Sequence, residues 1–200
     1  VAIYSPQIII DKCLASVTQY DNGITVGFNR EQIVPYSDTD PTSWCHGTIR
    51  DCLATSCRNH GISVYGAVKV NVINPTVFNC GNNTVRVGDA GPAGGVGVEH
   101  DGTNLSRDYK ITIVNPTVDN CFGFGLRTNC KGTRVIGGRI TGTKDPTAWT
   151  DSTPKIWGSN VFVQGAATLE LIGTDIEDAA QVGIRLAASA GGLFPSLYVN

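Results

Sequence analysis

The sequence predicts an all-β chain wound as a right-handed parallel β-helix, a solenoid of about six coils with inserted loops. Composition points there first. The β-branched residues Val, Ile and Thr far outnumber Leu, Ala, Glu, Lys and Met, glycine makes up 24 of 200 residues, and charged residues only 16%. Such a chain turns often and favours strands over helices. The second observation is an internal repeat: Val72-Ile73-Asn74-Pro75-Thr76-Val77-Phe78-Asn79-Cys80 returns as Ile113-Val114-Asn115-Pro116-Thr117-Val118-Asp119-Asn120-Cys121. The third is that each unit runs on into a short alternating triplet, the residue pattern of a strand with one face buried.

In chain order these triplets are Ile24-Thr25-Val26, Ile62-Ser63-Val64, Val85-Arg86-Val87, Leu126-Arg127-Thr128, Val161-Phe162-Val163 and Ile184-Arg185-Leu186. A basic coil of about 22 residues, lengthened by insertions, accounts for their spacing within one domain spanning 1–200. Because the chain carries no methionine, it is expected to be a piece of a longer one. If successive coils stack, the first and third residues of each triplet point inward and the middle one outward. The predicted outward column reads Thr25, Ser63, Arg86, Arg127, Phe162, Arg185. At a bend, Asn74 and Asn115 are expected one above the other, with Asp51 below and Gly173 above, in the left-handed conformation that Asn tolerates.

Cysteines stand at positions 13, 45, 52, 57, 80, 121 and 130, an odd number with no Cys-x-x-Cys spacing. Cys57, Cys80 and Cys121 share one slot of successive units, later taken by Ala179, and read as an inward column of free thiols. A disulfide between neighbouring coils and a zinc site are the competing readings. No metal or other cofactor is expected.

Chemistry is expected on the outward column. Arg86 and Arg127, on adjacent coils about 4.8 Å apart, repel unless anions lie beside them. Either Asp and Glu from the loops neutralise them, or arginine forks hold the carboxylates of an acidic glycan while Phe162 offers a face to a sugar ring. Insertions from Gly27 to about Ser43 and from Gly88 to about Asp108 would overhang this face, the second bringing Glu99, His100 and Asp101 together. That glycine-rich stretch lacks the Lys-Ser/Thr ending and following helix of a phosphate loop. The insertion between Ile140 and Val161 holds Asp145, Trp149, Asp151 and Trp157; the tryptophans serve either as sugar platforms or as contacts to a neighbouring subunit. A net charge of −2 argues against nucleic acid as a partner, and no apolar run approaches the roughly 18 residues a membrane span needs.

The segment Asn59-His60-Gly61-Ile62-Ser63-Val64 is similar to the Gly-His-Gly-Ile-Ser-Ile segment of polygalacturonase-type glycosidases. Asp21-Asn22-Gly23-Ile24 falls in the slot of their Asp-Asp segment and Arg86-Val87-Gly88 in that of their Arg-Ile-Lys segment. With the coil pattern, this resembles the pectin-lyase-like β-helix superfamily, which includes pectin-degrading enzymes and bacteriophage tailspike depolymerases. The sequence departs from the pattern where Asn22 replaces the second acid and Gly88 the lysine, and an earlier Asn-x-Asp segment is absent. The resemblance implies a polysaccharide-binding and -degrading protein acting on bacterial surface glycan, a homotrimer located in a virion tail or outside the cell. A glycosidase would pair Asp21 with Asp89, Glu99 or Asp101. A lyase would use His60 as base beside Arg86. Ser63, Arg127, Phe162, Arg185, Trp149 and Trp157 would bind substrate. The alternatives are a non-catalytic glycan-binding or stalk module of a trimeric fibre, and an adhesin-like structural repeat.

Overall fold

The computed structural model describes residues 2–3, 7–16, 22–27, 46–66, 69–81, 94–99, 108–144, 158–188 and 192–200. Within them the chain is all-β. It runs through β1 (Ala2–Ile3), β2 (Gln7–Asp11), β3 (Leu14–Ser16), β4 (Ile24–Gly27), β5 (His46–Arg50) and β6 (Leu53–Thr55). It continues through β7 (Ile62–Tyr65), β8 (Lys69–Ile73), β9 (Thr76–Phe78), β10 (Gly94–Glu99), β11 (Asp108–Val114) and β12 (Thr117–Asp119). The remaining strands are β13 (Phe124–Thr128), β14 (Lys131–Ile136), β15 (Arg139–Thr141), β16 (Ser159–Gln164), β17 (Thr168–Ile172), β18 (Asp175–Glu177), β19 (Val182–Ala187) and β20 (Ser196–Val199).

Every strand pairs in parallel with the one three places on. The result is three stacked parallel sheets: a first ordered β1-β4-β7-β10-β13-β16-β19, a second ordered β2-β5-β8-β11-β14-β17-β20, and a third of β3-β6-β9-β12-β15-β18. This arrangement is compatible with a parallel β-helix. The nine-residue repeat lies in register with itself, Val72 beside Ile113 and Val77 beside Val118. In the first sheet Ile24, Ile62, Val96, Leu126, Val161 and Ile184 form one inward column, and the first five are no more than 1% exposed. Each such side chain contributes roughly 1.5–3 kcal/mol on burial. Burial weakens at the last strands, where Ile176, Ile184 and Leu197 are only partly covered.

Two ladders of left-handed residues form the bends. Following the second sheet, Lys12, Asp51, Asn74, Asn115, Gly137 and Gly173 all have φ between 48° and 64°. Asn74 Nδ2 donates to Asp51 Oδ1 at 2.9 Å and Asn115 Nδ2 to Asn74 Oδ1 at 3.5 Å. The expected stack is present, with Gly137 inserted between Asn115 and Gly173; an added Cβ there would lie 2.6 Å from Asn115 Oδ1. Following the third sheet, Ser56, Asn79, Asn120, Gly142 and Asp178 repeat the device.

The thiol column is also present. Cys57, Cys80 and Cys121 are completely buried, and all six described cysteines are free. Cys45 lies outside the described residues. The Cys57 backbone N–H donates to Cys80 Sγ at 3.4 Å. The hydrogen-bonded Cys121 thiol, aided by burial, pushes the Cys80 thiol up to about 12. A thiol this hard to ionise behaves as a small apolar core residue. Ala179, expected to continue the column, is only half-buried.

One predicted strand is corrected. Val96-Gly97-Val98 in β10, not Val85-Arg86-Val87, pairs with Ile62-Ser63-Val64 on one side and with Leu126-Arg127-Thr128 on the other. Gly97 therefore occupies the column position expected for Arg86, and Arg86 lies outside the described residues. The reason is an insertion that precedes the strand instead of following it, which breaks the fixed spacing from Cys80. Glu99 accordingly ends a strand instead of sitting within the overhanging loop.

Candidate functional site

The outer face of the first sheet carries the column Thr25, Ser63, Gly97, Arg127, Phe162, Arg185. His60 reaches this face from the turn before β7. Its backbone N–H donates to Asn22 Oδ1 at 3.1 Å, its carbonyl accepts from Gly23, and Asn22 Nδ2 donates to Thr25 Oγ1 at 3.2 Å. The residue that stands where the family pattern has its second acid thus ties the His60 turn to the neighbouring strand. The imidazole lies over Gly97, where an added Cβ would come within 2.9 Å of Nε2 and 3.0 Å of Cδ2 and Cε1. Only glycine leaves room for the ring.

An ion-pair network extends from there. His60 Nε2 lies 3.6 Å from Glu99 Oε1, and Arg127 Nη1 contacts the same oxygen at 2.9 Å. The first distance is too long for a hydrogen bond, and the second is a close ion-pair contact without the alignment of a hydrogen bond. Arg127 Nη2 also donates to Gln164 Oε1 at 3.3 Å. All three network side chains are largely enclosed, at 7% exposure for His60, 20% for Glu99 and 14% for Arg127. Low local polarity strengthens such a pair and makes an unanswered charge costly. His60 Nδ1, Arg127 Nε and Arg185 Nη1 are buried without a hydrogen-bond partner among the described residues.

Beside the network sits an aromatic pair. Phe162 stacks on Phe124 with ring centroids 4.7 Å apart and planes 11° from parallel. Phe162 follows the alternation, since Val161 and Val163 on either side of it belong to the core. Phe124 reaches the same side because Gly125 turns inward, where an added Cβ would meet Ile140 Cγ2 and the Asn160 carbonyl. Although it faces outward as expected, Phe162 is only 2% exposed, and Ser63 only 3%. Neither presents an open surface.

Of the residues predicted for function, His60, Glu99 and Arg127 are brought together, with Phe162 and Arg185 continuing the same column. Asp21, Arg86, Asp89, His100, Asp101, Trp149 and Trp157 lie outside the described residues. Sequence reasoning missed Gly97, Gln164 and Phe124. Gly97 carried a signal, a glycine between two valines that marks a close approach to a strand; the other two carried none. Chemically, the cluster provides an imidazole beside a carboxylate that an arginine neutralises and orients.

Comparison with protein-family models, with curated proteins and with solved structures finds no match to the chain.

Proposed function

We propose that the chain is a right-handed parallel β-helix of about six coils, of the pectin-lyase-like kind, that binds and degrades a polysaccharide. The proposed role is that of a tailspike-like glycosidase or lyase acting on bacterial surface glycan. The observation that carries this reading is the convergence of His60, Glu99 and Arg127 on one face, with Glu99 Oε1 2.9 Å from Arg127 and 3.6 Å from His60. In a lyase, His60 removes the proton beside the uronate carboxylate, and Arg127 takes the stabilising role first assigned to Arg86. In a glycosidase, Glu99 is one of the two required carboxyl groups, and Asp21, Asp89 or Asp101 supplies the other. A homotrimer in a virion tail or extracellular setting accompanies this reading through the family resemblance alone.

The test is incubation with capsular and O-antigen polysaccharides, scoring new reducing ends and the ultraviolet absorbance of an unsaturated uronate. Glu99→Gln and His60→Ala are each expected to lower the rate by about 10²-fold or more while glycan binding persists. If no glycan that binds is cleaved, the second reading stands: a non-catalytic binding or stalk module. The enclosure of His60, Ser63 and Phe162 favours that reading, because a closed cluster serves packing before it serves chemistry.

A further inference from the structure

The second sheet presents a different outer face. In register across β5, β8 and β11 stand His46, Lys69 and Lys110, all exposed. Beside them runs a polar column of Thr48, Asn71 and Thr112, each partly buried and therefore held in place. Successive strands lie about 4.8 Å apart, so Lys69 and Lys110 are like charges on adjacent rungs.

Two arginines of this sheet are answered. Arg50 Nη2 meets Asp11 Oδ2 at 2.8 Å and Arg134 Nε meets Glu170 Oε2 at 2.6 Å. Among the described residues, neither Lys69 nor Lys110 forms an ion pair. Each lysine also lines a hollow: one of about 240 Å³ at Thr48, Lys69 and Asn71, the other of about 520 Å³ at Lys110 and Thr112. The two hollows share no lining residue; the register partners Lys69 and Lys110 stand between them on adjacent strands.

We infer that this strip holds an acidic polysaccharide strand laid along the stack, its carboxylates or sulfates bridging Lys69 and Lys110 and its hydroxyls meeting Thr48, Asn71 and Thr112. The inference rests on the polysaccharide reading above but not on the His60 cluster, which lies on another face. An anion between two stacked ammonium groups relieves their repulsion and makes charge-assisted hydrogen bonds to both. The occupant is a glycan, not a nucleic acid: the whole chain carries a net charge of −2, which argues against a polyphosphate backbone as partner, and the column of Thr48, Asn71 and Thr112 suits sugar hydroxyls.

The experiment uses the full chain, a fluorescent oligogalacturonate and its methyl-esterified, uncharged counterpart, read by anisotropy at two salt concentrations. The acidic probe is expected to bind at least ten-fold tighter than the ester at low salt and to weaken as salt rises. The double variant Lys69→Gln/Lys110→Gln, at exposed positions that leave the core untouched, should lose at least ten-fold in affinity for the acidic probe and nothing for the ester. Lys69→Arg/Lys110→Arg should retain binding. Wild-type protein that binds neither probe, nor any capsular or O-antigen polysaccharide, overturns the polysaccharide reading and this inference together. Wild-type binding that the Gln pair leaves unchanged overturns the inference alone. It also fails if single-stranded DNA displaces the acidic probe more effectively than unlabelled oligogalacturonate. The same holds if the Gln pair changes the sedimentation of the protein, which would make the strip a contact between copies.

Discussion

The outer faces of the first and second sheets use one stacking geometry to opposite ends. On the first, a glycine admits an imidazole, a carboxylate and a guanidinium answer one another at 2.9 Å, and two phenyl rings close over the wall. On the second, Arg50 and Arg134 meet carboxylates of the neighbouring strands, but the two ammonium groups of Lys69 and Lys110, stacked on adjacent strands, have no carboxylate partner among the described residues. A ladder of parallel strands does not by itself make a binding surface. What matters is whether each rung's charge is satisfied by its neighbours or left for something outside.

The largest expected effect separates the faces by packing. Phe162→Ala removes an enclosed ring and leaves Phe124 without its partner, so unfolding in urea should show a loss of about 3–5 kcal/mol. Tyr198→Ala on the second sheet, at a residue 60% exposed, should change stability by no more than about 0.5 kcal/mol. Similar losses from the two substitutions would mean that the first face is not the packed layer described here.

These two faces were unequally legible in the sequence. The inward columns could be read because period-two alternation and the repeat around Cys80 and Cys121 fix which residues stack. The Asn74–Asn115 ladder followed from the same repeat. Gly94–Glu99 escaped because its glycines give no alternation and an insertion displaces it from Cys80; with it went the neighbour of Arg127, and the expected arginine pair dissolved. Packing on the outer face depends on where Gly125 turns inward, which no local pattern announces. Lys69 and Lys110 precede the two copies of the repeat by the same spacing, so their ladder was visible in principle. It becomes significant only once register shows what does not pair with them.

A smaller effect tests the wall that the sheets share. The Cys80 thiol is held protonated in the folded chain up to about 12, against an ordinary value of 9.0. Its folded value is the raised one, so its contribution to stability is complete below pH 9.0 and is lost as the pH rises from there toward 12. Stability measured across that alkaline window should fall, and should fall less steeply in Cys80→Ala at matched starting stability. An equally steep decline in the variant would assign the alkaline loss to other groups. Under native conditions at neutral pH, a thiol reagent should label the Cys57, Cys80 and Cys121 column only after unfolding.

The smallest effect compares the ion pairs themselves. Arg50 and Asp11 on the second sheet meet through two hydrogen bonds, Nε to Oδ1 at 3.1 Å and Nη2 to Oδ2 at 2.8 Å, a better fork than Arg127 makes with Glu99. Yet their side chains are 51% and 35% exposed, so water screens the attraction and replaces it readily when it breaks. The hydrogen bonds from Arg50 hold the Asp11 carboxyl below its ordinary value. Because the folded value is the lowered one, whatever the pair contributes is present above the ordinary carboxylate range and disappears as pH falls through that lowered value. Asp11→Asn should therefore leave stability at neutral pH nearly unchanged and slightly flatten its decline in acid. Glu99→Gln, which leaves an enclosed guanidinium without its counter-charge, should cost about 1–3 kcal/mol at neutral pH. If Asp11→Asn proves the more damaging of the two, hydrogen-bond geometry outweighs enclosure, and the contrast drawn between the two faces fails.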